Sequence, residues 1–255
     1  MKKKKQRDAI QQRNTNISDI WIWGQHTVEA ALANPNRQIK KLYISKDITT
    51  FAIPPNVVAV KTSKEKISAL LPRNAVHQGI ALLSGPLPEV SIKEICLIPS
   101  KKTTSTIVLL DQITDPRNVG AILRSAAVFG ADAVVLPSRN ATPLTGVLAK
   151  SASGAVDVVP LVHANNLVRA MELLKKSGYW CIGLDSLSKV RIPSSPQVPY
   201  QAITVGSEGS GLRRLTKKTC DNVYQIPSTG KIQSLNVASA TAVALFALSA
   251  KEYPK

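Results

Sequence analysis

The chain has 255 residues, 44% of them hydrophobic, which suits one large folded domain or a small domain joined to a larger one. It contains no run of about 18 apolar residues, and its Lys-rich N-terminus lacks an apolar segment, so neither a membrane span nor a signal peptide is predicted and we expect a cytoplasmic protein. Lys and Arg number 33 against 16 Asp and Glu, and this net charge of +17 favours a nucleic-acid partner over a merely solvated basic surface.

Residues 1–20 are polar and Lys-rich without periodicity, so we predict a disordered basic tail. From Trp21 onward, four short apolar runs have the composition of strands, and two segments between them have helical apolar spacing. This pattern predicts a small α/β domain over residues 21–86. Residues 87–104 mix Pro, Ser and Lys, which indicates a linker with one helical turn in its middle.

Beyond the linker, six apolar runs alternate with helical segments: "TIVLLD", "AVVLP", "VVPLV", "YWCIGLD", "QAITVG" and "VYQIP". Alternation of this kind predicts a mostly parallel sheet covered on both faces, and hence an α/β domain over residues 105–255. The three cysteines and three histidines are scattered and include no C-x-x-C pair, so no metal site is predicted. Cys181, within "YWCIGLD", is expected to be a buried thiol.

Three of the predicted strands are followed by polar loops that contain glycine and lead into helices: "QITDPRNVG", "GSEGSG" and "STGKIQSLN". Because ligands of open α/β sheets bind at the carboxyl ends of strands, the three loops are candidates for one shared site. Taken alone, "GSEGSGL" is more typical of an ordinary strand-to-helix turn than of a binding loop. It is also not the dinucleotide fingerprint, which would follow the first strand, so an NAD enzyme is disfavoured.

Arg124 lies in the middle of the apolar helix "NVGAILRSAAVFG", where its charge requires solvent or an anion. A salt bridge to a carboxylate and a contact with substrate are equally good explanations. Asn118 precedes it near the helix N-terminus, where free backbone N–H groups favour anions. Farther along, Ser234 is interpreted as the N-cap of the last helix, and Asn236 is a poor residue for the interior of a buried helix.

The segments "DPRNVGAILRSAAVFGADAVVLP", "ITVGSEGSGL" and "IPSTGKIQSLNVASATAVALF" resemble, in order and spacing, the three motifs of the SpoU (TrmH-like) family of RNA ribose 2′-O-methyltransferases. "WIWGQHTVEAAL" and "AVHQGIAL" resemble the substrate-binding domain of the branch that methylates guanosine in large-subunit (23S) ribosomal RNA. The resemblance implies a C-terminal α/β trefoil-knot domain, a ribosomal-protein-like RNA-binding first domain and a homodimer formed through the catalytic domain.

The resemblance also implies roles for individual residues, with S-adenosylmethionine as the methyl donor and no metal. The functional polar positions are Asn118, Arg124, Glu208, Ser234 and Asn236. The positions that hold the methyl donor are Gly206, Ile226 and Leu235. If the loops converge, Glu208 is expected to pair with Arg124 and to orient its guanidinium.

At this point, two roles remain open for Arg124 in the reaction, and three functions remain open for the protein. Arg124 is either deprotonated transiently as the base, or it stays charged and stabilises the developing alkoxide, since a guanidinium is almost never neutral. Methylation of a guanosine in ribosomal RNA is the leading function. A tRNA ribose methyltransferase of the same family and a non-catalytic RNA-binding ribosome-assembly factor are the alternatives.

Overall fold

The computed structural model describes residues 19–139, 142–192, 198–231 and 234–249. Nearly all of the predicted basic tail, residues 1–20, lies outside these ranges, so its disorder stays a prediction. Within the described ranges, no helix is both long and apolar enough to cross a membrane.

A four-stranded mixed sheet forms the first part of the fold. Its strands are β1 (Ile20–Trp23), β2 (Ile39–Ser45), β3 (Ala59–Thr62) and β4 (Ile80–Ser84), in the order β1-β4-β2-β3. Strand β4 runs antiparallel to both neighbours, and β3 runs parallel to β2. Helices α1 (Gln25–Ala33) and α2 (Lys64–Leu70) join the strands. The four strands and two helices predicted for this region are confirmed.

A six-stranded parallel sheet forms the second part, in the order β10-β8-β9-β5-β6-β7. Its strands are β5 (Ser105–Asp111), β6 (Ala133–Pro137), β7 (Leu161–Ala164), β8 (Trp180–Leu184), β9 (Tyr200–Gly206) and β10 (Asn222–Tyr224). Residues of the two central strands are buried almost continuously, because helices cover both faces of the sheet. The predicted α/β class and the parallel sheet are confirmed.

In the described part of the chain, six further α-helices cover the sheet and connect its strands. They are α3 (Ile92–Cys96), α4 (Pro116–Val128), α5 (Gly146–Ala152), α6 (Leu167–Lys176), α7 (Arg214–Thr219) and α8 (Val237–Ser249). Side chains cap the starts of α4, α5 and α6: Asp115 accepts from the Arg117 N–H, Thr145 from that of Leu148, and Asn166 from that of Arg169.

The predicted linker over residues 87–104 is packed against the second sheet. Its helical turn is present as α3, which begins with a capping box formed by Ser91 and Glu94. Ile95 on this helix is 3% exposed and belongs to the same core cluster as Ile107 and Leu109 of β5. The segment is therefore part of the second core, and the domain boundaries stay a prediction.

The two sheets share one hydrophobic core. Ile22 and Leu42 of the first sheet belong to the same buried cluster as Leu148 of α5 and Val156. The approach is close at Gly146, the first residue of α5, where a Cβ atom would stand 2.0 Å from Cζ3 of Trp23 and 2.3 Å from the Trp21 carbonyl oxygen. Only glycine fits at this crossing, so strand β1 can lie directly against α5.

A buried ion pair joins the two domains beside this core. Nε and Nη2 of Arg37 donate to Oδ1 and Oδ2 of Asp157 at 2.8 and 3.0 Å, and Asn34 Nδ2 donates to Oδ1 at 3.0 Å. The Arg37 and Asp157 side chains are 0% and 2% exposed. Because the bidentate geometry satisfies both charged groups, the pair fixes the orientation of one domain on the other.

The predicted trefoil knot requires the chain after β10 to thread a loop. That chain does return from the edge of the sheet to the middle, because α8 packs against α4 and β9. Residues 193–197 and 232–233, which belong to the segments concerned, lie outside the described residues. The threading itself therefore stays a prediction.

Replacing Asp157 by Ala should lower the free energy of unfolding by about 3–5 kcal/mol, because it leaves the Arg37 charge buried without a counter-charge. Urea denaturation followed by circular dichroism measures this change. Asp47→Ala is the matched control, since Asp47 pairs with Lys64 through side chains that are 69% and 55% exposed; it should cost about 0–1 kcal/mol. Equal losses in the two variants would show that the interdomain pair adds nothing beyond a surface ion pair.

Candidate active site

The three polar loops predicted to converge leave the parallel sheet at its carboxyl edge. The first two follow β5 and β9, neighbouring strands whose pairing runs in register to Asp111 and Gly206. The third follows β10 and leads into α8. Because parallel strands end at the same edge, the loops after β5 and β9 begin side by side.

Side chains from the three loops meet at one point. Asn118 Nδ2 donates to Glu208 Oε1 at 3.2 Å, and Asn236 Nδ2 donates to the same oxygen at 2.6 Å. Asn236 Nδ2 also lies 3.1 Å from Asn118 Oδ1. The residues are 90 and 28 positions apart from Glu208 in sequence, so only the fold brings them together. We call Asn118, Glu208 and Asn236 the polar triad.

Asn236 has a second function, as the N-cap of α8. Its Oδ1 accepts from the Ala238 N–H at 2.9 Å and from the Ser239 N–H at 3.4 Å. This use of the amide oxygen leaves Nδ2 to face Glu208, and so fixes the orientation of the amide. The interpretation of Ser234 as the N-cap was wrong: the helix begins at Val237, and Ser234 is exposed two residues before the true cap.

The loop that carries Glu208 doubles back tightly on the end of β9. The Gly211 N–H donates to the Ser207 carbonyl at 2.9 Å, and a Cβ on Gly206 would stand 2.1 Å from the Gly211 carbonyl carbon. Gly209 and Gly211 have φ angles of +85° and +63°, which favour glycine. The return places Glu208 at the tip of the loop, where it faces the other two loops.

A buried carboxylate that the sequence analysis did not single out anchors this loop. Asp111 ends β5 and is 0% exposed. Its Oδ2 accepts from the Arg213 N–H at 2.9 Å, and its Oδ1 accepts from Arg213 Nε and Nη2, both at 2.6 Å. The ion pair between Asp111 and Arg213 therefore ties the end of the second loop to strand β5. An Asp that ends the buried run "TIVLLD" is the signal that could have revealed it, because a buried carboxylate needs a partner.

Arg124 does not join the polar triad. It lies on the exposed face of α4, and its Nη1 donates to Ser153 Oγ at 3.4 Å. The expected pairing with Glu208 was wrong, because six helical residues separate Arg124 from Asn118 by roughly 9 Å along the axis and about 120° around it. The apolar residues of α4 fill the other face, so the Arg124 charge is solvated rather than buried.

The three positions assigned to the methyl donor border the second and third loops. Gly206 is the last residue of β9 and is half-buried. Ile226 is half-buried just after β10, and Leu235 is 51% exposed immediately before Asn236. The structure thus leaves the aliphatic side chain of Leu235 on the surface, next to a residue of the triad.

The cysteines and histidines are not gathered into a site. In the described ranges, no three His, Cys, Asp or Glu side chains are grouped so as to hold a metal ion. Cys181 is buried, as predicted, and burial raises the pKa of its thiol to about 12. Desolvation also raises the pKa of Cys220 to about 12, so both thiols stay protonated at neutral pH.

Two family models match the chain. One, described as the SpoU rRNA Methylase family, matches residues 105–246, and the other, described as RNA 2'-O ribose methyltransferase substrate binding, matches residues 21–90. A 23S rRNA (guanosine-2'-O-)-methyltransferase RlmB of Photobacterium profundum is 34% identical over 90% of this chain and 97% of its own length. The RlmB of Vibrio cholerae is 33% identical over 90% of this chain and 96% of its own.

Solved structures of similar proteins have the same fold. The SpoU methyltransferase AviRb from Streptomyces viridochromogenes, in complex with AdoMet, is 18% identical and superposes with a TM-score of 0.76 over 94% of this chain and 93% of its own. An AdoMet-bound rRNA methyltransferase from Sinorhizobium meliloti is 21% identical, with a TM-score of 0.73 over 98% of this chain and 92% of its own.

Asn236→Ala should lower the free energy of unfolding by roughly 1 kcal/mol, since it removes the side chain that caps α8. Thermal and urea denaturation measure the change. Ser234→Ala, two residues away and exposed, should stay within about 0.5 kcal/mol of the parent protein. A larger loss of unfolding free energy in Ser234→Ala than in Asn236→Ala would mean that Ser234 is the cap after all.

Proposed function

The chain belongs to the SpoU rRNA methylase family, and we propose that it methylates the ribose 2′-hydroxyl of a guanosine in large-subunit (23S) ribosomal RNA in the cytoplasm. The observation that carries the proposal is the polar triad, in which side chains from three separate loops meet within the part of the chain that the family model matches. The net charge of +17 suits a polyanionic substrate.

The residues present suit S-adenosylmethionine as the methyl donor. Apart from its chain neighbours, no described residue lies within 4 Å of where a side chain would stand on Gly209 or Gly211, so this loop offers open backbone to a ligand. The aliphatic side chains of Ile226 and Leu235 provide apolar surface for an adenine, which otherwise needs only a few backbone hydrogen bonds. When bound, the donor supplies a methyl group on a sulfonium, and Gly206, Ile226 and Leu235 would hold it.

Within the polar triad, Glu208 is the group suited to a ribose hydroxyl. Its Oε1 accepts hydrogen bonds from the amides of Asn118 and Asn236, while Oε2 accepts none from the described residues. The two amides hold the carboxylate in place and leave Oε2 to accept from the attacking hydroxyl. We assign Glu208 to orienting that hydroxyl, and Asn118 and Asn236 to positioning Glu208.

For Arg124 we favour the electrostatic account over the base account. Its guanidinium is exposed and donates to the hydroxyl of Ser153, and arginine side chains in general carry their positive charge in proteins. A positive charge can stabilise the alkoxide that develops as the ribose hydroxyl attacks. We also assign Ser234, which is exposed two residues before Asn236, to contact with the same ribose.

A homodimer through the catalytic domain would bring Arg124 to an interface. Arg124 and Val128 lie one turn apart on the exposed face of α4, and Val128 is 72% exposed. On the neighbouring helix α8, Val243 and Phe246 are 40% and 56% exposed, and the Phe246 ring contacts Phe129. Apolar side chains grouped on two adjacent helices favour a second copy of the chain as the partner.

Incubation with methyl-labelled S-adenosylmethionine and total RNA tests the proposed function. We expect label in large-subunit RNA, recovered after digestion as 2′-O-methylguanosine. Label in tRNA would instead support the tRNA enzyme, and no label in any RNA would support the non-catalytic assembly factor.

Glu208→Gln links that reaction to the polar triad. It should keep the fold but lower turnover on the order of 100-fold, because its amide nitrogen cannot accept from a hydroxyl. Glu172→Gln, an exposed carboxylate on α6, is the matched control and should leave the rate unchanged. Equal rates for the two variants would remove Glu208 from the mechanism.

Val128→Glu tests the homodimer, since a charge on an apolar contact surface should separate the subunits. We expect the mass of a monomer by sedimentation, an unchanged circular dichroism spectrum and at least a tenfold loss of methyl transfer. Val58→Glu places the same charge at a residue that is 86% exposed in the first domain and should leave the mass unchanged. A dimer of full activity in Val128→Glu would place the interface elsewhere.

A further inference from the structure

A basic cleft opens at the carboxyl edge of the sheet, on the side of β6 and β7. Its volume is about 820 Å³, and four segments line it: the loop after β5, the end of β6, the start of α6 and the start of α7. Apolar and polar side chains share its lining, and the polar ones include Gln112, Arg139, Asn165, Asn166, Arg213 and Arg214. No residue of the proposed donor site contributes to the lining.

The charge of this cleft is positive and only partly compensated. Arg213 is paired with the buried carboxylate of Asp111. Arg139 and Arg214 are both exposed, and neither side chain makes an ion pair or hydrogen bond with another residue in the described ranges. Among the described residues, none that lines the cleft is acidic. Two arginines that share a concave surface without a counter-charge attract an anion.

The backbone also presents a polar side chain to the cleft. Gln112 has a φ of +62°, in the left-handed region that favours glycine. It follows directly after the strand that ends at Asp111, and its side chain lines the cleft. Strained positions of this kind concentrate at functional sites. Amide donors from Gln112 and Asn165 can add to the arginines in binding phosphate oxygens.

The cleft and the polar triad both lie at the carboxyl edge of the sheet, and the chain connects them directly. The cleft's first segment, residues 112–114, leads into α4, which carries Asn118. Its last segment, residues 213–216, follows the loop that carries Glu208. A strand that runs along this edge of the sheet from a ribose at the triad would reach the cleft.

We infer that Arg139 and Arg214 bind a phosphodiester group of the RNA strand next to the ribose that is methylated. The inference rests on the proposed function, and it assigns the cleft to substrate rather than to the methyl donor. Guanidinium groups bind phosphate oxygens in bidentate fashion, so two of them at fixed positions would set the direction of the strand as well as its affinity. The recognition is of the backbone and does not read the bases.

The test measures binding of a short fluorescein-labelled RNA oligomer of mixed sequence as a function of salt concentration. Arg139→Gln and Arg214→Gln should each weaken binding about tenfold and lower the slope of log affinity against log salt by roughly 0.7. Arg139→Lys and Arg214→Lys keep the charge and should keep the slope. Lys176→Gln, at the far end of α6, is the matched control and should change neither quantity.

Three outcomes would overturn the inference. An unchanged slope in both Gln variants would mean that the cleft holds no phosphate. An equal effect of Lys176→Gln would mean that only overall charge matters. Weaker binding of S-adenosylhomocysteine by the Gln variants, measured by calorimetry, would assign the cleft to the donor. None of these measurements depends on methyl transfer, so a parent protein that binds the oligomer but methylates no RNA would refute the proposed function alone.

Discussion

Strands β5 and β9 pair in parallel along their full length and end together at Asp111 and Gly206. The two loops that follow begin side by side, and the ion pair between Asp111 and Arg213 holds the far end of the second loop against the first strand. Asn118 and Glu208 meet only because of this alignment. A slip of one residue between the strands would also turn alternate side chains to the wrong face of the sheet.

Most of the fold follows from apolar patterning that is visible in the sequence. The runs that became β5 to β10 are short, almost entirely apolar and separated by helical segments, and such runs suit strands buried on both faces. The segment around Ile95 shows where this reasoning fails. Prolines and lysines beside it indicate a linker, but one buried isoleucine in a capped helical turn joins it to the second core. Tertiary contacts, which patterning does not contain, decide such cases.

The candidate site was predictable in its membership but not in its contacts. Glycine-rich loops after strands, together with the family motifs, pointed to Asn118, Glu208 and Asn236, and the fold brings these three together. The pairing of Glu208 with Arg124 failed because position in a helix decides which way a side chain points. The cap of α8 is Asn236 and not Ser234. Both residue types favour N-caps, and such preferences locate the start of a helix only to within about two residues.

Trp21, Trp23 and Gly146 pack the first sheet on the second domain without a gap, and Arg37 holds Asp157 beside them. A linkage of this kind leaves no hinge at this contact. An RNA that contacts both domains must therefore offer, in its own folded shape, the separation that the protein sets between the first sheet and the polar triad. Discrimination among RNAs would then rest on their three-dimensional structure, with the ribose selected by where it lies in space and not by the bases around it.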